Sequence, residues 1–541
     1  MPLNYHRTIP DVFAKSCQEF SASPAFTCMD HTISFRELDN LSGKFAAYLQ
    51  RHTALKPGDR IAIQLPNILQ YPIAVFGAMR AGMVVVNTNP LYTAHEIQHQ
   101  LNDSGAKALV VLANIAKNAS AIIKDTGVEQ VIVTELADIH PPVKRLIINC
   151  VVKYVKKLVP QFSFPNQIKF NRALNMATKP WQQVAIDPED VAVLQYTGGT
   201  TGVAKGAMLS HRNLVANMEQ LNAHMVDAFR KNEEVYVAPL PLYHIYSFTL
   251  HCTSAVSLGN HNILIPNPRD IPGFVETLKK YPFTLFVGLN TLFNALLRNP
   301  EFNTLDFSKL RLTSSGGMAL VAETANKWKT LTNAPITEGY GLTETSPVVC
   351  SNQINLLQYG TVGHALPETE CKIIDENGKS LPPGEAGELC IRGPQVMKGY
   401  WQRQDATAEV IDSEGWFKSG DMAVISADGF IKIVDRKKDM INVSGFKVYP
   451  NEVEDVLSSH PDIVEAAVIG VPDKEGSEIV KAFVVSSNPE LDMKTVRDFA
   501  KTKLTAYKVP HQVEFCKELP KSNVGKVLRR ELRDKEISKI S

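Results

Sequence analysis

Tyr196-Thr-Gly-Gly-Thr-Thr-Gly-Val-Ala-Lys-Gly206 is the stretch on which the reading of this chain turns. It follows the apolar run Val191–Leu194 and precedes Met208-Leu-Ser-His211, which makes it a loop set against a strand-like segment. Glycines let backbone N–H groups approach a ligand closely, threonines add hydroxyl donors and Lys205 adds a mobile cation. A polyphosphate cradle needs these three things. Two familiar phosphate motifs do not fit. GxxxxGK[ST] fails because Lys205 stands three residues beyond Gly202 and is followed by Gly206; GxGxxG fails here and at Gly339-Tyr-Gly341, where Glu344 holds the last position. By composition alone, a flexible Gly/Thr-rich surface loop fits as well as a phosphate site.

Around this loop the apolar runs alternate with helix-period segments. Ile61–Leu65, Val84–Val86 and Leu109–Leu112 read as strands, with helical stretches over Tyr71–Met79 and Ala94–Leu101 between them. A second series runs through Glu234–Ala238, Asn262–Pro266, Thr284–Val287 and Arg311–Thr313, with helical Ile271–Lys280 and Ala322–Leu331. This rhythm predicts βαβ units and two α/β sheet layers. From about Gly363 the texture changes to short runs punctuated by Asn377-Gly378, Pro382-Pro-Gly384 and Asp428-Gly429, the turn signals of a small antiparallel subdomain over 363–435. A helix-like Asn451–His460, strand-like Ile463–Gly470 and Lys481–Val485, and a helix over Met493–Leu504 form an α+β tail. The fold class is therefore multidomain α/β, with a large domain over 1–435 and a small one over 436–541, divided at the charged segment Asp435–Asp439. A chain of 541 residues is long enough for such a division.

With 44% apolar and 21% charged residues the chain is a folded globular one, and a formal net charge of +1 gives no whole-protein field for nucleic acid. The eight cysteines show no CxxC pair and no metal-ligand spacing, which predicts buried free thiols in a reducing compartment. No window reaches 18 uncharged apolar residues and the N-terminus lacks a leader pattern. The expected location is the cytoplasm.

The loop resembles the phosphate-binding signature of the adenylate-forming superfamily, and similar matches follow in order. They are Pro241-Leu-Tyr-His-Ile245, Ser314-Ser-Gly-Gly-Met318, Gly339-Tyr-Gly-Leu-Thr-Glu344, Gly415-Trp-Phe-Lys-Ser-Gly-Asp421, Asp435-Arg436, Val443-Ser-Gly-Phe-Lys447 and Pro520-Lys-Ser-Asn-Val-Gly-Lys526. The resemblance spans nearly the whole chain. The ending Pro520–Arg533 is most similar to bacterial long-chain fatty-acid–CoA ligases.

That resemblance implies a fold of the acyl-CoA synthetase and luciferase type. It also implies an acid–thiol ligase using ATP, Mg²⁺, a fatty acid and coenzyme A, with another acid or a carrier-protein thiol as the alternative. Residue by residue it implies that Tyr196, Thr197, Gly198, Gly199, Thr200, Thr201, Gly202 and Lys205 hold ATP, and that Thr343 reaches the phosphates while Glu344 and Thr200 hold the metal. Tyr340, beside Gly341, would lie against adenine, with Gly316 and Gly317 giving the base and the acyl carboxylate close access to the backbone. Asp421 would accept from the ribose hydroxyls, with Arg436 nearby, and Lys526 would meet the acyl-phosphate oxygens. His244 would sit beside the acyl carboxylate. Phe248, Gly288, Leu289 and Gly316 would line the acyl pocket, Phe248 either as a gate at its mouth or as plain core. A swivel about Lys438 would bring Ser444, Gly445, Phe446 and Lys447 to face coenzyme A. Dimers occur among related ligases, but the sequence carries no interface signature.

One feature is independent of the resemblance. Over residues 143–159, a helix would place Arg145, Asn149, Lys153, Lys156 and Lys157 on one side and Ile147, Cys150, Val151, Tyr154, Val155 and Leu158 on the other. Such a helix either rests on the anionic inner face of the cytoplasmic membrane or packs on its own domain.

Overall fold

The computed structural model describes residues 3–197, 204–444, 446–473, 478–521 and 527–540. Two large sheets organise the first 360 residues. One has seven strands in the order Gln167–Lys169, Gln130–Thr134, Ala106–Leu112, Arg60–Gln64, Val84–Asn87, Val191–Thr197 and Lys205–Ser210. All its pairings are parallel except the last, where Val191–Thr197 and Lys205–Ser210 run antiparallel across the glycine-rich loop. The other has nine strands, with a parallel centre running from Pro24–Cys28 through His261–Leu264, Val235–Ala238, Leu285–Gly288 and Leu312–Gly316 to Ile336–Gly341. Its edges, His31–Ser34 on one side and Val348–Ser351 with His364–Ala365 on the other, are antiparallel.

Strands such as Val84-Val-Val-Asn87 are apolar on consecutive residues because both faces of their sheet are covered. Ile61, Ile63 and Val85 join a core shared with the nine-stranded sheet, while Ala62, Val84 and Val86 join the core on the opposite face. Between the sheets the helix Gln70–Arg80 is buried along its whole length. Local signals start and stop the surface helices: Thr93 and Glu96 form a capping box for Ala94–Ser104, and Gly105 ends it with φ 61°.

The small antiparallel subdomain is a four-stranded sheet, Glu370–Ile374, Ala386–Arg392, Phe417–Ile425 and Ile431–Arg436. Its residues Ile373, Leu389, Ile391 and Phe417 pack into the shared core. Beyond Arg436 come a hairpin, Ile441–Val443 with Phe446–Val448, and a three-stranded sheet, Ile463–Pro472, Glu478–Ser486 and Gln512–Phe515. Helices Pro450–Ser458, Met493–Lys501 and Arg529–Ile540 complete this tail. The parallel strand Gln512–Phe515 and the hairpin were not legible from periodicity. The tail has apolar clusters of its own, built from residues such as Val453, Val468, Val484, Phe483 and Leu532. All eight cysteines are free; Cys17, Cys28, Cys252, Cys350 and Cys390 are buried as expected, whereas Cys150, Cys371 and Cys516 are half-buried.

The basic amphipathic segment forms a helix, Pro142–Cys150, that continues as a wide turn over Val151–Val155. Lys144 and Asn149 turn toward the protein, while Lys153, Lys156 and Lys157 are exposed. Asn149 Oδ1 accepts the Ala137 N–H at 3.0 Å, and Lys144 Nζ donates to the Met29 carbonyl at 2.6 Å. The apolar side faces outward, with Val143 73%, Leu146 66%, Ile147 58%, Tyr154 66%, Val155 74% and Leu158 54% exposed. Packing of the apolar face on its own domain is thereby excluded. No helix among the described residues is long and apolar enough to cross a membrane.

Candidate active site

Thr197, Gly316 and Gly341 end parallel strands of the two sheets, and all three open onto one continuous cleft of about 3110 Å³. Ligands of α/β sheets collect at the carboxyl ends of strands. A pocket for one small ligand is roughly 300–1,000 Å³, so this cleft has room for several substrates at once.

One wall is set by the pairing of Phe417–Ile425 with Ile431–Arg436, which puts Asp421 directly opposite Arg436. The Asp421 carboxylate, 2% exposed, takes Arg436 Nε at 2.8 Å on Oδ1, and the Tyr340 hydroxyl donates to Oδ2 at 2.5 Å. Burial, with the Asp421 charge adding to it, holds the Tyr340 phenol well above its usual range, so it remains a donor. The three residues that the resemblance assigned to adenosine therefore meet in one cluster. Two vicinal ribose hydroxyls reaching Asp421 would compete with Tyr340 for Oδ2.

Glu344 sits in the tight turn Thr343–Thr345, just after Gly341. No side chain fits at Gly341, where a Cβ would lie 2.0 Å from the Pro347 carbonyl oxygen. Glu344 Oε1 accepts from the Tyr400 hydroxyl at 2.7 Å, and Lys205 Nζ lies 5.2 Å from the centre of the Tyr400 ring. Burial and the Glu344 charge raise the Tyr400 phenol well above its usual range, keeping it a donor. Mg²⁺ is commonly held by one or two carboxylates together with substrate phosphates, a role the Glu344 carboxylate on the cleft wall fits, and among the described residues no group of three or more His, Cys, Asp or Glu could hold a metal ion. Thr343, half-buried, lines the same wall. Tyr196 also lines the cleft and is tied at its hydroxyl. Its hydroxyl donates to Asp103 at 2.6 Å, Asp103 pairs with Arg403 at 2.8 Å, and only 7% of Tyr196 is exposed, so it anchors the loop's first strand. Gly198, Gly199, Thr200, Thr201, Gly202, Gly445 and Lys526 lie outside the described residues.

At the other end of the cleft His244 caps the short helix Ile245–Ser247, with the Tyr246 N–H donating to its Nδ1 at 3.3 Å. An accepting Nδ1 puts the proton of a neutral ring on Nε2. Tyr246 was not anticipated; its hydroxyl bonds Ser314 Oγ at 2.9 Å, and its ring lies where a Cβ on Gly316 would be, 3.0 Å away. Of the expected acyl residues, three lie behind the wall, Phe248 in the core position that was one of its two readings. Phe248 is fully buried in the shared core, and it is Tyr246 and Leu250 that reach the cleft on this segment. Gly288 is covered by Phe293, 2.6 Å from where its Cβ would stand, and Leu289 joins the apolar cluster behind the wall. The next helix, Asn290–Leu297, buries Leu292, Phe293 and Leu296 and presents Asn290, Thr291 and Asn294 to the cleft. Gly316 does line it.

Comparison with known proteins agrees with this geometry. Residues 13–401 match the family described as AMP-binding enzyme, and residues 452–526 match the AMP-binding enzyme C-terminal domain. This chain belongs to the AMP-binding enzyme family. A long-chain-fatty-acid–CoA ligase of Escherichia coli O6:H1 is 50% identical over 537 residues, covering 99% of this chain and 96% of the relative. One from Bacillus subtilis is 38% identical, covering 98% and 95%. Among solved structures, ATP-bound MatB from Rhodopseudomonas palustris superposes with a TM-score of 0.85 at 28% identity, covering 99% of this chain and all of that one.

In this AMP-binding enzyme the tail closes over the cleft, with Lys521, Val527, Leu528 and Arg529 among its lining residues. The hairpin expected to meet coenzyme A is elsewhere. Among the described residues of 444–447 none lines the cleft: Ser444, with φ 49°, is at the turn, Phe446 is 57% exposed and stacks on Tyr507 at 4.8 Å, and Lys447 pairs with Glu376 at 2.6 Å. Lys438 lies in the short turn Lys437–Asp439 that joins the four-stranded sheet to the tail.

Proposed function

We propose that this AMP-binding enzyme is a long-chain fatty acid–CoA ligase working by two half-reactions. In the first, a carboxylate oxygen of the fatty acid attacks the α-phosphorus of ATP, the bond to the β-phosphate breaks, and acyl-AMP and pyrophosphate form. In the second, the thiolate of coenzyme A attacks the acyl carbonyl carbon, the bond to AMP breaks, and acyl-CoA leaves with AMP. The observation that carries this reading is the likeness to fatty-acid ligases over 537 residues, which spans the nucleotide wall and the tail alike.

Asp421 and Arg436 would orient the ribose, with Tyr340 yielding its hydrogen bond on Asp421 as the ribose hydroxyls arrive and its ring bearing on adenine. Lys205, Thr197 and Thr343, with residues 198–202, would hold the phosphates, and Glu344 and Thr200 would hold Mg²⁺. When bound, that ion neutralises charge on the departing pyrophosphate. His244 would donate from Nε2 to the acyl carboxylate, and Lys526 would stabilise the negative oxygens at the α-phosphorus. The boundary between the domains falls at Asp435-Arg436, with Lys438 as the hinge. After the first half-reaction the tail turns, exchanging the segment around Lys526 for the hairpin of Ser444, Gly445, Phe446 and Lys447.

Pyrophosphate release measured over acids of graded chain length, with and without coenzyme A, tests the assignment. Turnover with long-chain acids and a requirement for coenzyme A in the second step are expected. Turnover restricted to short or aromatic acids, or transfer only to a carrier-protein thiol, would overturn it.

The outward stripe on 143–159 supports peripheral contact with the cytoplasmic face of an anionic membrane. From Ile139 to Ile186 the chain has no acidic residue, and Lys153, Lys156 and Lys157 flank the exposed apolar side chains. Each basic residue near such a surface contributes about 1 kcal/mol. Wild type is expected to sediment with vesicles containing phosphatidylserine, and the Lys153→Glu, Lys156→Glu, Lys157→Glu variant to remain in solution. Equal binding removes the idea, and sedimentation velocity showing a dimer lost on Leu146→Asp would assign the stripe to a second copy instead.

A further inference from the structure

The hinge is spanned by a buried ionic clasp. Asp435 stands at the end of strand Ile431–Arg436, on the large-domain side of Lys438, with its side chain fully enclosed. Its carboxylate is met from the tail: the Asn451 backbone N–H donates to Oδ2 at 2.7 Å, and Arg529 Nη1 lies 3.6 Å from Oδ1. Asn451 Nδ2 adds a bond to the Val434 carbonyl at 3.2 Å.

On the tail side Arg529 is itself firmly held. Its Nε and Nη2 take the two Glu454 oxygens at 3.0 and 2.6 Å, and Nη2 also donates to Asn451 Oδ1 at 2.6 Å. Asp439, the first residue past Lys438, lies 3.5 Å from Nη1 and pairs with Arg533 at 2.6 Å. A planar guanidinium gripped along one edge presents its remaining nitrogen in a fixed direction. Here Nη1 stands between Asp439 at 3.5 Å and Asp435 at 3.6 Å, an ion pair with each.

Arg529 also starts the last helix, directly after the cleft-lining Val527 and Leu528. Leu528 N–H donates to the Pro520 carbonyl at 2.8 Å, and Lys521 is bridged to Val527, so these residues are tied together next to the clasp. A turn about Lys438 would leave Asp435 with the large domain and carry Arg529 and Asn451 away. The enclosed carboxylate would lose its donors from the tail, which a buried charge tolerates poorly.

We infer that Arg529 is a positioning residue for the first half-reaction: with Asn451 it clasps Asp435 in the orientation seen here, fixing the tail over the nucleotide, and the clasp opens before thioester formation. This rests on the ligase reading and on a hinge near Lys438. The full-length protein is assayed in two ways, by fatty-acid-dependent exchange of labelled pyrophosphate into ATP, and by conversion of supplied acyl-AMP and coenzyme A to acyl-CoA. Arg529→Gln is expected to slow exchange about tenfold, the loss of one charge-assisted contact, while the second reaction stays within about twofold of wild type. Asp435→Asn, which leaves the tail's own pairs intact and so guards against misfolding of the arginine variant, is expected to show the same split. The double variant should be no slower in exchange than either single one. Equal slowing of both reactions by Asp435→Asn, or losses that multiply in the double variant, would overturn the clasp. Absence of exchange in wild type would instead overturn the ligase reading beneath it.

Discussion

The two ends of the cleft are built on opposite plans. At the nucleotide end the polar side chains are already paired with one another, Asp421 with Arg436 and Tyr340, and Glu344 with Tyr400. Strand register holds them there. At the end we propose for the acid the wall is made by whichever side of a short helix faces inward, Tyr246 and Leu250 on one segment and Asn290, Thr291 and Asn294 on the next. The large apolar residues Phe248, Leu289 and Phe293 stand behind it as support. On the proposed assignment, chemistry common to many acids is fixed by buried charge, while the choice of acid is left to side chains that can change without disturbing a sheet.

That contrast can be broken in three places. The largest effect belongs to Asp421→Ala. Losing two charge-assisted hydrogen bonds at about 2 kcal/mol each should lower kcat/KM for ATP about 10³-fold, with the KM for fatty acid little changed. Steady-state kinetics with each substrate varied checks this, and an equal loss for both substrates would erase the distinction between the ends. Next is Phe248→Leu. As core support, Phe248 should cost about 1–2 kcal/mol of stability when shortened and leave the chain-length profile unchanged, whereas Leu250→Ala should broaden it. A shifted profile for Phe248→Leu would restore that residue as a gate.

The smallest effect concerns Glu338, which is 8% exposed, lies on the same strand as Tyr340 and accepts the Leu320 N–H at 3.2 Å. Burial raises its carboxyl from 4.5 to about 7, and Asp455 of the tail adds to the shift. A raised folded pKa favours the protonated group, so its contribution to stability is full below pH 4.5 and is lost as the pH rises through about 7. Thermal unfolding of Glu338→Gln beside wild type should show wild type losing ground over that interval and no further above it. A difference that does not vary with pH would remove Glu338 as the cause.

Much of the nucleotide end was legible through the resemblance, because its residues sit in glycine-bearing motifs that recur in order along the chain, whereas composition alone left the loop equal to ordinary surface. Tyr246, Tyr400 and Glu338 were not. A lone aromatic or acid carries no local signature, and each gains its role from a partner distant in sequence, such as Ser314 for Tyr246 and Glu344 for Tyr400. For Phe248, Gly288 and Leu289 the resemblance pointed to the acyl pocket while apolar spacing fitted core equally well, because helical periodicity distinguishes two faces without saying which is cleft and which is core. The same ambiguity governed 143–159. Its amphipathic pattern was plain, but only the bonds from Asn149 and Lys144 to the protein reveal that the apolar face looks outward. The sheet layers and the antiparallel subdomain followed from patterning, whereas the strand Gln512–Phe515, with polar Gln512 and Glu514 and no fully buried residue, had no apolar run to show it.

The central claim is that a carboxylate oxygen attacks the α-phosphorus of ATP at the Asp421 and Glu344 wall. Fatty acid labelled with ¹⁸O in its carboxyl group tests this most directly. After turnover with ATP and coenzyme A, one labelled oxygen per acyl-CoA should appear in AMP and none in pyrophosphate. Label in inorganic phosphate, with ADP as the nucleotide product, would contradict the account.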